Sequence, residues 1–303
     1  MVLKRMRNHT YDVMKGIAIL LMVWEHCYPN LSWLGHQVVY SFHVPLFFLV
    51  GGLFAKEAVS FKEFYIETKK NAKRLLLPYV VTCILLTSWG IVQSVLKHDW
   101  CYIIRPILST IWCSGDVIET KFGVLFAGPM WFLLALFWLR EIFYCIQVFA
   151  HKCFPKYKYI TIFAISTILS IAVQYLYPII QPLPLGILPG VCGLLYYAIG
   201  WLVSKYGVPW YVGVISIACW PLSILFGEVE LLRCSYTFPI DVLGACGATY
   251  LIYKVCGALA LARQRIHTYI HAVLSLFYHG AGDIHCQYCV CTHLRLRAIS
   301  FGL

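Results

Sequence analysis

Long apolar runs alternate along this chain with short polar segments that are mostly basic. Runs long enough to cross a bilayer, several softened by glycine and proline, fall at 11–27, 37–55, 75–96, 127–149, 159–177, 185–203, 208–226 and 238–262. The pattern predicts about eight spans and hence an all-α, polytopic transmembrane helical bundle. The first run is interrupted by Lys15, and no small-residue cleavage site follows it, so it reads as the first helix and not as a signal peptide.

Composition agrees and excludes a soluble domain: 61% of the residues are hydrophobic, 12% are charged and the mean hydropathy is +0.75. The net charge of +11 would suit a nucleic-acid binder, but the cations follow the loops and form no exposed stripe. Lys4, Arg5 and Arg7 precede the first span. Lys56, Lys62, Lys69, Lys70, Lys73 and Arg74 follow the second, Lys152, Lys156 and Lys158 the fourth, Lys205 the sixth, and Arg263 and Arg265 the eighth. The alternate loops hold little more than Lys97, Arg105, Lys121 and Arg233. The positive-inside rule then predicts a cytoplasmic N-terminus; the expected place is the plasma (inner) membrane, as a multi-pass protein in contact with lipids and not with nucleic acid.

The 14 cysteines suggest no disulfide framework, since those at Cys83, Cys145, Cys192 and Cys219 lie in apolar runs where a thiol behaves as a small hydrophobe. Cys286, Cys289, Cys291 and His293, with His285 nearby, superficially resemble a zinc cluster, but no metal site is assigned to them.

Chemistry enters with Tyr11 to Cys27, where Lys15 and His26 stand eleven residues apart in an apolar helix. At about 100° and 1.5 Å per residue they share a face to within roughly 20° and are about 16 Å apart, half a bilayer core. This suggests a track for an anionic molecule whose reactive end reaches into the membrane. Ser41 to Lys56 carries His43 just before Pro45, with Gly51 and Gly52 beyond; a proline bend and close-approaching glycines would open a cavity around the imidazole. Lys69 to Tyr79 sets a basic cluster ending in Arg74 at the mouth of the next span, and Gly128-Pro129 breaks the start of the fourth. Plainer readings exist. Lys15 could snorkel to headgroups, His43 could satisfy a carbonyl, and Arg74 could anchor topology. Glu25 points away from its neighbour His26, and Arg140 and Glu141 would pair with other helices and carry no catalytic role.

Taken in order, these segments resemble the acyltransferase 3 family, integral-membrane enzymes that acylate bacterial surface polysaccharides and related glycans. The resemblance rests on Asp12, Lys15-Gly16 and His26, then Phe42, His43, Pro45, Phe47 and Phe48, then Arg74, Pro78 and Tyr79, and finally Trp131, Phe132 and Leu133. It covers residues 8–140 well and the later spans by hydropathy alone. It implies transfer of an acyl group, most often acetyl from acetyl-CoA, onto a hydroxyl of a polysaccharide or lipid-linked sugar, with acyl-CoA as donor substrate and no permanently bound cofactor. On the residues, His26 is the candidate general base with His43 as a second catalytic group, and Lys15, Lys73 and Arg74 sit where the phosphates of coenzyme A would arrive. A transporter of a glycan or anion is the alternative, but no second Lys-to-His track recurs in the later spans.

Three features depart from the family. Gly51-Gly52 replaces a usual Ser-Gly, and Glu25 replaces a small residue. The C-terminal stretch lacks two further expected spans, of about ten in the family. A reading-frame slip near Leu276 would explain that loss together with the Cys/His cluster, because permitted codons for Phe277 to Arg295 can be read in another frame as a family-like apolar segment. On this reading residues 1–265 form the membrane domain and 266–303 an atypical tail, out of frame or truncated, which could leave the enzyme inactive.

Overall fold

The computed structural model describes residues 9–27, 33–113, 118–120, 123–125, 130–180, 184–227 and 229–279. Its helices are α1 (His9–Cys27), α2 (Trp33–Tyr40), α3 (His43–Leu53), α4 (Phe61–Asn71), α5 (Leu77–Lys97), α6 (Cys101–Trp112), α7 (Trp131–Cys153), α8 (Lys158–Ile180), α9 (Ile187–Cys192), α10 (Leu194–Tyr206), α11 (Trp210–Phe226) and α12 (Ile240–His279). A π turn, Ala72–Leu76, joins α4 to α5, and one short antiparallel hairpin pairs β1 (Ile118–Thr120) with β2 (Gly123–Leu125), Ile118 facing Leu125. The fold is all-α in its architecture, as the apolar runs predict.

Each of the eight runs becomes helix. Among the described residues, five helices are long and apolar enough to cross a membrane, with α2 and α3 together forming one of them. A sixth arises if α9 and α10 with the preceding turn, bent by 52°, count as one broken span; α11, with 17 residues, is shorter. The chain is a multi-pass membrane protein.

Two helices lie outside the predicted spans. Helix α4 is polar and starts at Ser60, whose hydroxyl caps the Glu63 amide while the Glu63 carboxylate accepts from Ser60 N. Helix α6, about 18 Å long, is too short to span and packs along α5. Gly90 permits this approach, because a Cβ there would lie 2.3 Å from the Tyr102 carbonyl oxygen.

Two units are distinguished. In the unit formed by Met1–Thr10 and Tyr253–Leu303, Thr10 lies against Gly257. The larger unit, Tyr11–Ile252, has its core where α3, α7 and α10 meet. Trp201, Tyr197 and Phe143 are fully buried there, with Phe143 5.7 Å from the Trp201 ring and 4.9 Å from that of Tyr197. Backbones touch directly: a Cβ on Gly52 would stand 2.1 Å from Tyr197 O, and one on Gly200 2.0 Å from Leu49 O.

Loop ends that the charge pattern assigns to one face come together around Glu57. Its carboxylate receives Lys205 Nζ at 2.6 Å and Lys158 Nζ at 3.4 Å, and His151 Nε2 lies 3.0 Å away. Residues that follow the second, fourth and sixth runs thus share one face. Burial by itself would push the Glu57 carboxyl up, yet Lys205 and Lys158 hold it below the ordinary carboxylate value.

Candidate active site

His43 opens α3 directly after the turn that ends α2. Pro45 therefore falls in the first helical turn, where a backbone N–H has no helical acceptor, and it fits there without bending α3. This corrects the expectation of a proline bend opening a cavity around His43. The imidazole is instead packed, 4% exposed, with the Tyr40 ring edge-on at 5.0 Å. Two open cavities of about 350 Å³ lie elsewhere, one bounded by Ser60, Val148 and His151, the other between Tyr79 and Thr110.

What the packing gives His43 is a defined tautomer. Nδ1 lies 2.9 Å from Val39 O, and a carbonyl can only accept, so the proton of the neutral ring sits on Nδ1 and the basic lone pair on Nε2. The plainer role is present too, since a carbonyl at the end of α2 is satisfied. One hydrogen bond serves both roles.

Lys15 is half-buried, and its ammonium lies 4.7 Å from the centre of the Phe54 ring, which Tyr11 also meets edge-on at 5.2 Å. Phe54 follows α3 directly, so Lys15 and His43 are at opposite ends of that helix, roughly 16 Å apart along its axis. The Lys15 end is three residues from Glu57 and its cations. Lys73 and Arg74 lie exposed on the π turn, while Asn71, Leu75 and Tyr79 turn inward. Neither makes an ion pair among the described residues, so both remain available to an arriving anion. The structure does not bring Lys73 or Arg74 to His43. His26 lies on α1, but its side chain and that of Glu25 are outside the described residues, as are Gly128-Pro129 and the Cys/His tail.

A model of the acyltransferase domain matches residues 8–276. The chain belongs to the acyltransferase 3 family. Nodulation protein NolL of Mesorhizobium japonicum is 26% identical over 229 residues, covering 72% of this chain and 53% of the relative. Nodulation protein NolL of Sinorhizobium fredii is 32% identical over 91 residues, 27% of this chain and 25% of the relative. The chain thus spans about half the length of the first relative and a quarter of the second. No solved structure matches.

In this chain, motif segments far apart in sequence pack on one another. Phe132 of α7 stacks on Phe48 at 5.4 Å and meets Phe47 at the same distance. Tyr79, donating to Thr110 O, packs with Cys83, Cys113 and Leu134, against which Trp131 and Leu133 also rest. The motifs that carry the family resemblance are therefore partly a packing code, which sets α7 against α3 at Phe132 and against α5 at Leu134.

The structure adds a network between α7 and α4. Glu141 accepts from Thr68 Oγ1 and, at 3.1 Å, from Asn71 Nδ2, while Arg140 Nη1 donates to Asn71 Oδ1 at 3.1 Å. The expectation that Arg140 and Glu141 pair with another helix gains its partners here. The Arg140 Nε remains without one among the described residues. A charged pair inside an apolar run was the signal in the sequence, but its partner Asn71 carries no charge to point to it.

Proposed function

We propose that the protein is a membrane O-acyltransferase that moves an acyl group, acetyl by preference, from acyl-CoA to a hydroxyl of a cell-surface or exported glycan. It would act in the plasma membrane with its N-terminus in the cytoplasm. Family membership supports acyl transfer, and the observation that carries the chemistry is the His43 tautomer, whose Nε2 lone pair makes it a base. As the sugar oxygen attacks the thioester carbonyl, the imidazole takes the hydroxyl proton, the C–S bond breaks, and the imidazolium returns the proton to the departing thiolate. Such proton transfer contributes about 10² to 10⁴ in rate. His26, the base favoured by the sequence pattern, shares this proton chemistry in the proposal.

The donor's phosphates would approach the face marked by Glu57. Lys15 stands on that side of α3, and the roughly 16 Å to His43 suits the extended pantetheine arm of coenzyme A. Lys73 and Arg74 would receive the nucleotide end as exposed cations. The test is transfer of label from [¹⁴C]acetyl-CoA to neutral oligosaccharides by membranes containing the protein. Lys15→Ala is expected to raise the KM for acetyl-CoA; an unchanged KM would remove Lys15 from the donor site.

A further inference from the structure

Cys192 reads in the sequence as a small hydrophobe of an apolar run, but the fold gives it a partner of its own kind. It ends α9, at the break in the bent span, and is 0% exposed. Cys234 follows the turn Leu231–Arg233 and is 1% exposed. The two side chains hydrogen-bond each other, although they lie far apart in the chain.

The backbone on both sides of the sulfurs holds them together. The turn Leu231–Arg233 packs on α9. Glu230 and Ser235 close the loop behind it with paired backbone bonds, Glu230 N to Ser235 O at 2.8 Å and Ser235 N to Glu230 O at 3.0 Å. Two residues past Cys234, the Tyr236 hydroxyl lies 2.9 Å from Ser170 Oγ, which itself donates to the Cys192 carbonyl. The loop and the end of α9 are thus fastened to one point of α8. Val229, Leu231 and Tyr236 are buried with the sulfurs.

Both cysteines lie toward the side of the bundle away from Glu57. Helix α10 reaches the Glu57 face at Lys205, thirteen residues after Cys192, or about 20 Å of chain at helical rise. Helix α11 starts shortly after Lys205, at Trp210, and ends at Phe226, before the loop that holds Cys234. With the N-terminus cytoplasmic, as proposed above, Glu57 faces the cytoplasm and the two thiols lie toward the outside, where disulfides form and persist. Among the described residues no third His, Cys, Asp or Glu joins the pair to hold a metal ion, so the chemistry left to it is oxidation.

We propose that Cys192 and Cys234 close a disulfide as the chain folds, tying loop 229–239 covalently to the break in the span. The orientation given above enters only in saying where the oxidant is met. That oxidant is itself a disulfide, small or carried by a protein. One cysteine thiolate attacks it and expels a thiol, leaving a mixed disulfide; the second thiolate attacks the cysteine sulfur of that bond and expels the other thiol. Two electrons and two protons leave with the oxidant, whose S–S bond is broken as the new one forms. Because both sulfurs are buried in the finished fold, the exchange comes before the loop seats on α9.

The test uses membranes containing the full chain, denatured with N-ethylmaleimide in the absence of reductant, digested and weighed. The expected product is a peptide pair joined through Cys192 and Cys234, two hydrogens lighter than its separate halves and parted by dithiothreitol. A second arm makes the full chain in a cell-free system with lipid nanodiscs and a buffer of oxidised and reduced glutathione. The joined pair in that arm alone would uphold the pairing and overturn the orientation. N-ethylmaleimide on both cysteines in both arms, or either one joined to a different cysteine, would overturn the proposal. Cys192→Ala, Cys234→Ala and the double variant should lower Tm by the same number of degrees, since all three remove one bond; additive losses would mean two separately packed thiols. None of these readouts needs catalysis, so they stand apart from the O-acyltransferase reading.

Discussion

Lys205 Nζ lies 2.6 Å from Glu57 Oε2, joining positions 148 residues apart at one face of the bundle. Because Lys205 and Lys158 hold the Glu57 carboxyl below its ordinary value of about 4.3, the stabilisation it provides is present above that value and is lost as pH falls through the lower, folded one. Detergent-solubilised protein should lose thermal stability as the pH falls below the ordinary carboxylate value, and Glu57→Gln should remove part of that loss while lowering stability at pH 7 by about 1 kcal/mol or less. A variant with the wild-type pH profile would show that the cluster carries no linkage.

The close crossing of α3 and α10 makes Gly200 intolerant of any side chain, since even a Cβ would collide with the Leu49 carbonyl oxygen at 2.0 Å. Gly200→Leu should cost about 1–3 kcal/mol or more and reduce the monodisperse fraction on size exclusion. Gly16→Ala on α1, where a Cβ meets nothing within 4 Å, should leave that fraction intact. Equal behaviour of the two variants would contradict the packing described.

Glu141 is the shared acceptor of Thr68 and Asn71. Glu141→Ala strands the buried Asn71 amide, which also holds the half-buried Arg140 guanidinium, so a loss of about 1–3 kcal/mol is expected from thermal or denaturant unfolding of the solubilised protein. A neutral outcome would mean that water replaces the carboxylate there.

Helices were legible in the sequence because a bilayer demands apolar runs of fixed length, and each of the eight runs is helical. Their grouping was legible too: Lys158 after the fourth run and Lys205 after the sixth meet at Glu57, which follows the second, as alternation across a membrane requires. Helices α4 and α6 escaped that reading. One is polar and the other too short to span, so neither carries the signal of a membrane crossing. Pro45 shows the limit of residue-by-residue inference. A proline in an apolar run reads as a kink until the chain turn at Ser41–Phe42 places it in the first turn of α3.

The proposed acyl transfer is assisted by the His43 imidazole, held by Val39 O as the Nδ1–H tautomer. The most direct measurement is [¹⁴C]acetyl transfer from acetyl-CoA to glycan by membranes containing equal amounts of wild-type protein, His43→Ala and His43→Gln. Both variants should lose about 10²- to 10⁴-fold in kcat, with little change in the KM for acetyl-CoA. Wild-type transfer that persists in both variants would contradict the role of His43.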